Sequence, residues 1–418
     1  MKICSVTALV MALSLAAIVG TRVSWAEAGI AIAEPPPPTG ADAEALLRLA
    51  FDTASAIPVM PHEKDRARAQ EEVVAAAIDN GRLDLAEAWV ERIDTWRRGS
   101  AYADLAFALA AGGDRPEVRR YLVLAAAIAD READWRRDRI RMKIARVHAR
   151  LGETAEAARI GATLPESEVG KLAEARIESM PLAAGDEQAL VAAEQKAFEQ
   201  EIETLDRILA SQMFDPTRHA LDAFVALHAR QYADESRRDL LEARIRGGWN
   251  LVPVDIRIDL LLRLAQNAQS SGDLGTSRRL VADATALAEA GSWIAEHEVP
   301  LLGRLAGASQ RAGNGEEARR LVVKAIEVFD AKRETIFDIY RAGALRPVAE
   351  AHAAMGDRDS AAAIYRRAIE EGFGNPNARP RALDLSATCV SMASSGTLPD
   401  EATAKRLREI RGLLGDPW

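Results

Sequence analysis

At 418 residues the chain is too long for one ordinary hydrophobic core unless that core is assembled from stacked repeats. Hydrophobic residues make up 48% and charged residues 28%, which is a globular rather than a disordered composition. The formal net charge of −9 argues against nucleic-acid binding as a main activity.

The first twenty residues, MKICSVTALVMALSLAAIVG, place a basic Lys2 before an apolar stretch from about Val6 to Gly20. Ser24-Trp25-Ala26 then offers small residues flanking a cleavage point before Glu27, so residues 1–26 are expected to be a signal peptide and the mature chain periplasmic or secreted. The alternative is an uncleaved membrane anchor, for which the apolar stretch is short and interrupted by Ser5, Thr7 and Ser14. Cleavage removes Lys2 and Arg22 and no acid, leaving the mature chain more acidic still. It also leaves Cys389 as the one cysteine, so no intramolecular disulfide can form. Residues 27–41 follow as a proline-rich linker around EPPPPTG.

Beyond the linker the sequence is rich in Ala, Leu, Glu and Arg, and aromatics are only 5%, which favours helix throughout. A recurring unit confirms the period. Gly356-Asp357 precedes Ala361, Tyr365 and Ala368 at helical spacing. Gly313 precedes Ala318, Val322 and Ala325 in the same frame, and Gly272 precedes Ser277, Val281 and Ala284. Looser copies begin at Gly81, Gly113, Gly152, Gly185 and Gly396. Glycine is the residue for a chain leaving one helix at φ > 0, and an acid just after it favours the next helix N-terminus. Seven residues before the glycines, Ala106, Ala145, Ala265, Ala306 and Ala349 each follow a large apolar residue, and Cys389 holds the same slot. That is what close antiparallel helix packing needs.

The pattern resembles the tetratricopeptide repeat, most clearly at Ala361/Tyr365/Ala368 and Ala318/Val322/Ala325. Turn glycines recur at 32 to 43 residues, mostly longer than that family's ~34, and His148 and His352 stand where it has an aromatic. The resemblance implies an all-α, right-handed α-solenoid of about nine antiparallel helix pairs. Residues 42–186 form the N-terminal repeats and 187–247 a degenerate central segment with a long helix from Glu187 to about Ser211. FDPTRH is expected to break that helix, with a glycine-free turn near Ala233-Asp234. RGGWNLVP marks a hinge or half-boundary, and residues 248–418 complete the array, ending in a polar capping helix.

Chemical motifs are few. His297-Glu298 lacks the second histidine of a zinc motif because residue 301 is leucine. His219 and His228 with Asp222 are better read as ordinary helical residues than as metal ligands, and Cys389 as a buried small residue. The Trp-Arg-Arg copies at Trp96 and Trp135 are explained by stacking at a repeat junction. No cofactor and no metal are expected.

One pattern stands out. Lys143, Arg176, Arg263 and Arg304 lie nine residues before their turn glycines, with Arg146, Arg150, Gln266 and Arg311 extending the stripe. In tetratricopeptide-like stacks the first helix lines the concave face, which makes these eight residues the candidate groove. The expected function is a non-catalytic scaffold binding an extended, acidic peptide or partner protein there. It would meet a membrane only if the leader is uncleaved. The alternative is a cell-envelope enzyme on an α-helical repeat or toroid scaffold acting on glycan.

Overall fold

The computed structural model describes residues 41–113, 115–164 and 187–418, so the leader, most of the linker and the unit containing Arg176 lie outside the described residues. The described elements are helical, without a strand among them. First helices of successive units are α2 (Val59–Asp79), α4 (Arg97–Leu109) and α6 (Asp134–Arg150), paired with α3 (Leu83–Val90), α5 (Pro116–Ala129) and α7 (Thr154–Gly161). Ahead of them lies α1 (Ala41–Ala54). The long helix is α8 (Glu187–Ala210), followed by α9 (Phe214–Arg230) and α10 (Glu235–Gly247). Then come α11 (Val254–Ser270) with α12 (Leu274–Ala290), and α13 (Ala295–Arg311) with α14 (Gly315–Lys332). The last units are α15 (Asp338–Ala354) with α16 (Arg358–Phe373), and α17 (Ala378–Ser395) with α18 (Glu401–Gly412).

The turns are built as the sequence requires. Gly81, Gly113, Gly152, Gly272, Gly313, Gly356 and Gly396 all have φ between 69° and 91°. A Cβ at any of these would meet nothing within 4 Å, so backbone conformation alone selects glycine there. The residue after the turn then caps the next helix: Asp273, Asn314 and Asp357 accept from the backbone N–H three residues on. Asp234 does the same at the glycine-free turn. His148 and His352 reach across their turns to Glu153 and Asp357, at 2.6 and 3.2 Å. Arg119 and His148 together hold the Glu153 carboxyl down at about 2.

The small–large frame is buried as expected, with Ala106, Ala306, Ala349, Ala361, Tyr365 and Cys389 fully enclosed. The closest approach is between α13 and α15. A Cβ on Gly303 would lie 2.6 Å from the backbone carbon of Pro347, so only glycine fits that contact. One boundary moves: FDPTRH is the first turn of α9, not a breaker. The break falls at Ser211–Met213, where Gln212 turns through φ 55°, and Pro216 sits in the first helical turn that tolerates it.

The two ends of the described chain meet. Helix α17 packs against α1 and α2, and Ser386 Oγ donates to the Ala50 carbonyl at 3.1 Å. Arg379 pairs with Asp65 at 2.8 Å, and the Asn80 amide donates to Ser394 at 3.1 Å. Leu47, Phe51 and Val73 share one apolar cluster with Leu385, Cys389, Met392, Leu407 and Ile410. Helix α18 is therefore polar on one side only, with its other side buried in that shared cluster. The array covers its exposed apolar ends with each other rather than with polar caps.

Candidate functional site

The recurring bases of the first helices do face neighbouring first helices, but most are not free. Lys143 on α6 pairs with Asp104 and donates to Ser100, both on α4, the latter at 2.6 Å. Arg263 on α11 pairs with Asp222 on α9, and Arg304 on α13 with Asp259 on α11 at 2.5 Å. Arg97 pairs with Glu71 and Arg346 with Asp384 in the same manner. These are rungs of an ion-pair ladder between neighbouring first helices, with none between α13 and α15 among the described residues. Burial pushes the Asp104 and Asp384 carboxyls up, while Lys143 and Arg346 respectively pull them back.

The acid half of the ladder escaped the sequence reading. Asp104 stands nine residues before Gly113, in the very slot that holds a base in other units. That alternation of sign in one slot was the available signal. Asp222, weighed as a metal ligand alongside His219 and His228, serves Arg263 instead. His228 is fully buried: its Nδ1 meets the Asn267 amide at 3.2 Å, and burial holds its pKa down at about 4. Among the described residues no group of three or more His, Cys, Asp or Glu side chains is placed to hold a metal. Burial pushes the Cys389 thiol up to about 12, which leaves it a packing residue.

Four of the eight candidate groove residues converge. Arg263, Gln266, Arg304 and Arg311 line one cleft of about 230 Å³ between α11, α13 and α15, together with Asp259 and Glu350. Gly303 and Gly307 leave its wall without side chains. The Glu350 carboxylate is fixed by the Ser391 hydroxyl, which in turn meets the Tyr365 hydroxyl at 2.7 Å. Arg304 and Arg263 are engaged by their rungs. Arg311 makes no hydrogen bond or ion pair among the described residues. The cleft walls strip water from its guanidinium and push its pKa down, with Glu350 pulling the other way.

The other candidates sit elsewhere. Lys143, Arg146 and Arg150 lie on α6, where Arg146 and Arg150 stack over Phe107 at 4.8 and 4.3 Å. The Nε of Arg146 is buried without a hydrogen-bond partner. Arg176 lies outside the described residues.

Fold and site together define an all-helical repeat protein. No protein-family model matches the chain, and no curated protein does. Among solved structures it is similar to a circular tandem repeat protein with novel repeat topology and enhanced subunit contact surfaces. The two share 18% identity over 89% of this chain and 96% of that one, with a TM-score of 0.24. A superposition that loose carries no argument about function.

Proposed function

We propose that the chain is an exported, tetratricopeptide-like scaffold of about nine right-handed helix pairs that holds an acidic peptide segment of a partner protein, without catalysis. The observation that carries this reading is Arg311, an unengaged guanidinium in a cleft whose other cations are already matched. A carboxylate entering beside it gains a charge-assisted hydrogen bond, and hydrogen bonds to charged groups contribute about 1.5–3 kcal/mol. The Gln266 amide supplies a further polar contact for a peptide backbone.

Export is tested by sequencing the mature N-terminus, expected at Glu27; an intact Met1 on membrane-bound protein contradicts it. Binding is tested by titrating a Glu/Asp-rich peptide alongside its Gln and Lys counterparts. Only the acidic peptide should bind, and raising salt should weaken it because exposed charges are screened over about 8 Å at physiological ionic strength. Equal binding of the Gln peptide sinks the reading. The meeting of α1 with α17 favours a second reading at the level of architecture, a helical toroid carrying an envelope enzyme that acts on glycan. Release of soluble fragments from purified cell-wall glycan would support that one instead.

A further inference from the structure

At the opposite end of the first helices lies a second cleft, of about 510 Å³, which the ladder touches at Arg97. It gathers the beginnings of three successive first helices. Glu63 and Lys64 come from the start of regular helix in α2, Trp96 from the entry to α4, and Trp135 and Arg136 from the first turn of α6. Trp96 and Trp135 meet edge to face with centroids 5.1 Å apart. Packing of that pair explains Trp96, which is half-buried and carries Arg97 over its ring at 4.9 Å. It does not explain Trp135, which stays 55% exposed.

The backbone presents this ring at a cost. Asp134, immediately before it, sits at φ 55°, a region that non-glycine residues enter at roughly 1 kcal/mol or more. Two bases near the ring are uncommitted. Lys64 and Arg136 make no hydrogen bond or ion pair among the described residues, Arg136 lying over the Trp135 ring at 5.5 Å. At the start of α4 the Thr95 hydroxyl already accepts from the Arg97 N–H at 3.3 Å, whereas α6 has no side chain capping its N-terminus, so the positive end of α6 remains available to an anion. Glu63 and Glu132 line the same cleft.

We infer that this cleft binds a sugar ring bearing an anionic group, a carboxylated or phosphorylated pyranose. The apolar face of the ring stacks on Trp135, as flat amphipathic rings do on indole. The anionic group sits between Lys64, Arg136 and the start of α6. Glu63 and Glu132 accept hydrogen bonds from ring hydroxyls, groups that both donate and accept and so suit a rim of mixed sign. The same carboxylates oppose a purely anionic ligand such as polyphosphate. The site shares no residue with the Arg311 cleft and stands or falls separately from it.

The test is calorimetric titration of the mature protein with trigalacturonate, glucose 6-phosphate, uncharged maltotriose and adenosine monophosphate. Either acidic sugar should bind, the oligomer more tightly if the source is a glycan strand and the sugar phosphate more tightly if it is a free metabolite. Maltotriose should bind at least about fivefold more weakly, and Trp135→Ala should lower acidic-sugar affinity about tenfold, equivalent to about 1.4 kcal/mol. Trp135→Phe should restore most of that loss, and the double variant Lys64→Ala/Arg136→Ala should remove the preference for acidic over neutral sugar. Both sites are exposed, so melting should not change, which keeps a loss of binding interpretable. Wild-type affinity in Trp135→Ala overturns the proposal, as does no binding of either acidic sugar at about 10 mM, far weaker than a built site gives. Tighter, Trp135-dependent binding of adenosine monophosphate also overturns it, by showing that the ring is an aromatic base.

Discussion

The Arg311 cleft and the tryptophan cleft rest on the same repeat frame and end up chemically unlike. In both, bases on first helices are abundant, and in both the ladder consumes part of them: Arg304 with Asp259 near one, Arg97 with Glu71 beside the other. What differs is the remainder. Between α11, α13 and α15 the glycines at 303 and 307 let the helices approach and leave one guanidinium over. At the starts of α2, α4 and α6 a cleft holds two indole rings, one of them exposed. Binding chemistry in a repeat array is therefore to be sought in what the inter-repeat contacts leave unspent, not in the recurring residues themselves.

The frame common to both regions should be the most sensitive to change. Ala361→Asp puts an unpaired carboxylate at a fully enclosed contact and should lower stability by about 3–5 kcal/mol, read from chemical denaturation. An unchanged curve would mean that the shared frame is wrong. Acid should act next, through the central segment that separates the regions. His228 is held below its unfolded value, so the unfolded chain binds the extra proton as pH falls. Stability is then complete above pH ~6.5 and declines toward pH ~4, by about 3 kcal/mol for this site. Denaturation midpoints measured across that range check the slope, and His228→Leu should flatten it.

Smaller effects distinguish turn from ladder. Gly81→Ala has open space around its Cβ and still must adopt φ 70°, so a loss of about 1–2 kcal/mol is expected from backbone strain alone. Arg263→Ala breaks a rung whose partners remain partly exposed, and the cost should stay within about 1 kcal/mol. If the rung costs more than the turn, the ladder is a principal source of stability rather than a register device.

Much of this was legible in the residues. The turn glycines, the caps at Asp273 and Asp357 and the buried slots at Ala306 and Ala349 follow from local rules of φ, capping and size, which sequence spacing carries directly. The meeting of α1 with α17 was not legible. It depends on small angular offsets accumulated over the whole array, and no single unit encodes them. The groove was half legible: the offset of nine found Arg263 and Arg304, while their neutralisation by Asp222 and Asp259 needed the lateral distance between helices. Arg311 mattered for a reason the stripe could not give, namely that no acid among the described residues faces it closely enough to pair.

The central claim is that the unspent guanidinium, not the ladder, is what a partner reads. Titration of a Glu/Asp-rich peptide into Arg311→Ala and Lys143→Ala, beside the unaltered protein, tests it most directly. Arg311→Ala should weaken binding about tenfold or more, the loss of one charge-assisted contact, while Lys143→Ala should leave affinity within about twofold. Equal affinity of Arg311→Ala and the unaltered protein, or a larger loss in Lys143→Ala, would contradict the account.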